Sequence, residues 1–123
     1  MSTRSTISVV QKDNSVKSIY CHWDGYIIGG VGEALQTYFN TYQCANDVIS
    51  EGNLSNIYRD DFESYHSKRG DVINIESYSN LESFLSNLEK QEFNYLFIDG
   101  EWKIIDSDNE IKEIFEYNSW FVS

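Results

Sequence analysis

EFNYLFIDGEWKIID, Glu92 to Asp106, decides the fold class. The apolar-rich runs EFNYLFI and EWKIID flank Asp99-Gly100, the pair that two-residue hairpin turns favour. This predicts an antiparallel hairpin over 92–106. A second hairpin is predicted near the other end. RSTISVV (4–10) and VKSIYCHW (16–23) are rich in β-branched residues and alternate, with the turn residues Asp13 and Asn14 between them. Alternation puts Val16, Ser18, Tyr20 and His22 on one face and Lys17, Ile19, Cys21 and Trp23 on the other.

The segments between these hairpins change period. In VGEALQTYFNTY, the residues Val31, Leu35, Tyr38, Phe39 and Tyr42 fall on one face of a helix. CANDVISEG reads as a short second helix stopped by Gly52. GNLSNIYRD reads as a loop, and 61–78 as two short strands turning near Lys68–Asp71. Ser79 and Glu82 form a capping box for a helix with Leu81, Phe84, Leu85 and Leu88 on its apolar face. Ser107-Asp108-Asn109-Glu110 has the same pattern and predicts a last helix over 107–117, with Ile111, Ile114 and Phe115 inward. The expected class is α+β: an antiparallel sheet of two or three hairpins with helices packed mainly on one face. A chain of 123 residues with no proline, repeat or linker is expected to form one domain, 1–123.

Composition narrows the functional classes. The aromatic fraction of 15% is that of a folded chain, since disordered acidic chains lack aromatics. Cys21 and Cys44 are expected to be reduced thiols. MSTRSTISVV has no apolar core of a leader, and no apolar run reaches the ~18 residues of a membrane span, so a cytoplasmic protein without membrane contact is expected. The net charge is −11. That argues against direct nucleic-acid binding, whose affinity comes from Lys and Arg on phosphates, and suits an acidic surface for a basic cleft on another protein. Residues 92–116 hold eight acids against Lys103 and Lys112, so −6 of the −11 sits there.

Few residues suggest chemistry. Gly29-Gly30-Val31-Gly32 precedes a helix, as in phosphate loops, but lacks the lysine and the glycine spacing such loops use; a strand-to-helix turn is the expectation. His22 and His66 are the only histidines. His22 and Asp24 are predicted to share a face and form the better metal pair, with His66 joining them. Cys21, the neighbour of His22, is a further candidate, with Cys44 in reserve; zinc is the metal such ligands suit. No nucleophile signature occurs, so an enzyme is not expected. Asp60-Asp61 is an acidic pair of the solvated kind.

MSTRSTI, the hairpin ending in IYCHWDGY, LQTYFNTY, YHSKRGD and FNYLFIDGEWKI occur in that order. Together they resemble a family of small phage and prophage proteins, over roughly residues 1–105. His22, Asp24 and His66 match the pattern. The chain departs from it in IIGGVG after Tyr26, in the stretch from His66 to Asp71, and in the acidic segment 107–117. Small acidic prophage proteins include anti-CRISPR inhibitors of type II effector nucleases. The resemblance thus implies a phage-encoded interaction protein, acting in the bacterial host's cytoplasm, that covers the basic nucleic-acid-binding surface of a defence nuclease. The residues expected at that contact are Asp106, Asp108, Glu110, Glu113, Glu116, Asp60 and Asp61. Two alternatives stand beside it: a sponge for a nucleotide or other small molecule, using Tyr20, Trp23 and Tyr26, and a metal-dependent enzyme using His22, Asp24 and His66.

Overall fold

The structure is a computed structural model that describes residues 3–27, 29–58, 61–64 and 75–114. Their elements are β1 (Ser5–Val10), β2 (Val16–Cys21), α1 (Val31–Tyr38), α2 (Tyr42–Ser50), β3 (Leu54–Tyr58), β4 (Asp61–Ser64), β5 (Glu76–Tyr78), α3 (Leu81–Asn87), β6 (Phe93–Ile98), β7 (Glu101–Ile105) and β8 (Ile111–Glu113). All eight strands join one sheet in the order β4-β3-β2-β1-β6-β7-β8, with β5 also on β2. The class is α+β, and the sheet is mostly antiparallel.

Both sequence-predicted hairpins form. Val10 pairs with Val16 across the first turn. Ile98 pairs with Glu101 across the second, where Asp99 (φ 54°) and Gly100 (φ 82°) both take the positive φ that a tight twisted turn requires. The hairpins meet through β1 and β6, which run parallel, Ile7 opposite Tyr95. A second parallel contact joins β2 to β3 at Cys21 and Leu54. The sheet is therefore mixed, and segment 54–58 is a strand where the sequence suggested a loop.

The predicted helix over 107–117 is corrected as far as Glu113. Residues 111–113 form β8, Ile111 opposite Ile105 and Glu113 opposite Lys103. The reason lies one residue before the apparent capping box. The Asp106 carboxylate accepts the amides of Asp108 (2.9 Å) and Glu110 (3.0 Å), and Asn109 turns the chain back at φ 64°. Ser/Asp/Asn-rich stretches serve turns as readily as helix starts, and here the turn forms. Two smaller corrections have the same origin. Asn80, not Ser79, caps α3 by accepting the Ser83 amide at 2.8 Å. Thr41 caps α2 through the Cys44 amide at 3.1 Å, so the first helix stops at Tyr38.

The helices divide between the two faces. Val31, Leu35, Val48 and Ile49 of α1 and α2 pack on Ile7, Val9, Ile19, Tyr95, Phe97 and Ile104. The Trp102 indole N–H donates to the Phe39 carbonyl (2.9 Å), and the Tyr95 hydroxyl to the Gly25 carbonyl (2.6 Å), tying β7 and β6 to the α1 layer. On the opposite face, α3 covers one end only, placing Phe84 against Val16, Leu96 and Ile105. The middle of that face is polar. Thr6 donates to Asn94 (2.9 Å) and Ser8 to Ser18 (2.8 Å), all four side chains buried. Such pairs satisfy buried hydroxyls but fill less volume than a core residue would. No helix among the described residues is long and apolar enough to cross a membrane.

Candidate functional site

The loop from His22 to Gly30 leaves β2 and enters α1. The glycines here serve packing. A Cβ on Gly30 would lie 2.4 Å from the Asp24 carbonyl and 2.5 Å from that of Tyr26; one on Gly32 would meet the Tyr95 hydroxyl at 2.7 Å. The amides at the helix start are also spoken for. Val31 donates to the Asp24 carbonyl (2.8 Å), Gly32 to that of Tyr26 (3.2 Å) and Glu33 to that of Ile27 (2.8 Å). An anion would find these donors engaged, with Asp24 and Glu33 lining the adjacent cleft. The reading as a turn holds.

Cys21 is fully buried in the core under α1 and α2, and burial pushes its thiol up to about 12. The strand ends at Cys21 and Asp24 turns at φ 55°, so strand alternation does not extend to Asp24. His22 instead bonds the Tyr20 hydroxyl through Nδ1 (2.7 Å), gives its amide to the Leu54 carbonyl (3.0 Å) and meets the Trp23 ring edge-on at 4.7 Å. Asp24 accepts the Tyr26 hydroxyl at 3.2 Å. His66 lies outside the described residues, and among those described no three His, Cys, Asp or Glu side chains form a metal-sized group.

The acids proposed for partner contact divide into two kinds. Asp106 builds the β7–β8 turn: besides the two amides, its carboxylate meets Lys112 at 2.8 Å. Lys112 and then the Glu110 and Asp108 amides hold its carboxyl below the ordinary carboxylate range. Glu101 (2.8 Å) and then Glu113 flank Lys103 and hold its ammonium above its ordinary value. By contrast, Asp108 and Glu110 project from the turn, exposed; Glu110 keeps 67% of its side chain in solvent and only a long 3.9 Å approach to Lys112. Glu92 is exposed at the same end of the sheet, where β6 begins and β7 ends. Lys90, nearby, gives its ammonium to the carbonyls of Asp106 and Ser107 (3.4 and 3.1 Å). Glu116 and Asp60 lie outside the described residues; Asp61 opens β4.

The Asp106 geometry predicts a pH dependence. A carboxyl held below its ordinary 3.8 in the folded state contributes stability above that pH and loses it as pH falls through the folded value. Asp106→Asn should therefore melt lower than the native chain at pH 6, and the gap should close below about pH 4. Thermal melts across that range check this; a gap that stays constant would mean the charge contributes nothing.

No family model, curated protein or solved structure matches the chain.

Proposed function

We propose that the chain is an interaction protein that places carboxylates against a basic, nucleic-acid-binding surface of another protein, and that this partner is a bacterial defence nuclease of the type II effector kind. The observation that carries the reading is the division among the C-terminal acids. Those that build the sheet end are matched by lysines, while Glu92, Asp108 and Glu110 stand exposed around them on a chain of net charge −11. A rigid turn held by the Asp106 bonds presents Asp108 and Glu110 with little freedom to lose on binding, which favours affinity. The contact set is accordingly Glu92, Asp108 and Glu110; Asp106 and Glu113 support the turn.

The test is cleavage of target DNA by a type II effector nuclease, with the purified chain added at increasing ratio. Inhibition that saturates near one chain per nuclease and weakens as salt rises is the expected result. Unimpaired cleavage at large excess, across several such nucleases, removes this partner class.

A further inference from the structure

On the sheet face away from α1 and α2, a cleft of about 470 Å³ opens between β2, β5 and the segment that follows α3. It exists because the sheet carries the small hydroxyls Thr6 and Ser18 there, and α3 stops short of them. Tyr20 and Tyr78 line it, and the strand pairing of Ser18 with Glu76 sets one carboxylate directly beside the hydroxyl floor. Glu89 supplies a second carboxylate from the far wall. Partial burial, then Glu76 and Glu89, hold the Tyr78 phenol above its ordinary value. No lysine, arginine or histidine is among the described residues lining the cleft. Lys90, next in sequence to Glu89, gives its ammonium to the Asp106 and Ser107 carbonyls.

We infer that this cleft binds a small organic cation: an alkylamine or diamine whose ammonium groups meet Glu76 and Glu89 and whose methylenes lie along Tyr20 and Tyr78. The chemistry of the lining selects this class. Two carboxylates offer acceptors to N–H donors, and the tyrosine rings attract a cation through their faces. Phosphate-bearing ligands are disfavoured by the same carboxylates. The inference is independent of the nuclease reading, which uses a different set of acids.

The probe is 1,4-diaminobutane, titrated into the full chain by calorimetry, with amide chemical shifts to locate it. The uncharged isostere 1,4-butanediol is the comparison. Because any acidic protein attracts amines, two charge-matched variants separate site from background: Glu76→Gln with Glu89→Gln, and Asp108→Asn with Glu110→Gln. Saturable diamine binding, with shifts confined to Ser18, Asn53, Tyr78, Asn87 and their neighbours, is expected. The cleft variant should bind about tenfold more weakly, and the turn variant much as the native chain does. Equal losses in the two variants, shifts spread over the acidic surface, or the diol binding as well as the diamine would each overturn the proposal. Should the cleft variant fail to fold, the shift map of the native chain decides the matter alone.

Discussion

Asp108→Lys combined with Glu110→Lys is expected to abolish most of the proposed inhibition while leaving the fold intact. Both side chains are exposed at the β7–β8 turn, and neither supplies a bond that holds it; Glu110 contributes to the turn through its amide and carbonyl, which a substitution keeps. The exchange moves the chain four charges toward neutrality at the presenting surface. At about 50 mM salt the association rate with a basic cleft should fall by roughly ten- to a hundredfold, because steering by opposite charge acts chiefly on the rate of encounter. The difference from the native chain should shrink near 0.5 M salt, where the screening length is only a few ångströms. The choice of acids matters. Glu113→Lys would instead set a lysine beside Lys103, which now lies between Glu101 and Glu113. A loss of binding in that variant would report on β8 as much as on the contact. A double-Lys protein that melts like the native chain and inhibits as well at low salt would show that this turn is not the contact.

The largest effect on stability is expected from Gly30→Ala. The added Cβ has no room between two backbone carbonyls, those of Asp24 and Tyr26, which themselves accept the amides of Val31 and Gly32. Neither carbonyl can withdraw without breaking the start of α1. Overpacking of this kind costs about 3 kcal/mol, which for a domain of this size lowers the melting temperature by roughly 10 °C. Gly29→Ala is the internal control. Nothing lies within 4 Å of its would-be Cβ, and only its φ of +78° opposes the change, at about 1 kcal/mol. Similar losses at the two positions, measured by denaturant titration, would contradict the packing account of this loop. The same experiment separates a structural turn from a ligand loop, since the close carbonyls at Gly30 are what deny an anion the helix amides.

Local signals in the sequence are those the fold obeys. Asp99-Gly100 turns where it should because both residues tolerate positive φ, and the requirement is met within four residues. Asp13 and Asn14 act likewise in the first turn, Asp13 accepting the Ser15 amide at 3.0 Å and Asn14 at φ 71°. What the sequence hides is long-range pairing. Nothing in RSTISVV announces that β1 will lie parallel to a strand almost ninety residues later, or that Leu54 will extend the sheet beside Cys21. The misread C-terminal helix has a different cause: a Ser-x-x-Glu pattern and an Asx turn use the same residue types, and only the pairing of Ile111 with Ile105 decides between them. The proposed contact residues follow this division. Asp108 and Glu110 are legible from charge density, whereas the structural roles of Asp106 and Glu113 depend on Lys112 and Lys103 across the hairpin. The cleft beside β2 and β5 has no sequence signature, because Ser18 and Glu76 meet only through the β2–β5 pairing.

The proposed contact sets exposed carboxylates on a surface built for phosphates. It is tested most directly by displacement: fluorescently labelled target DNA is bound to a type II effector nuclease, and the unlabelled chain is titrated in while anisotropy is read. The native chain is expected to release the DNA competitively, its apparent affinity falling as labelled DNA is increased and as salt rises, and the Asp108→Lys, Glu110→Lys chain to release it poorly. Anisotropy that stays at the bound value while the chain is shown by mass to sit on the same nuclease would contradict the claim, because the chain would then be bound without covering the nucleic-acid surface.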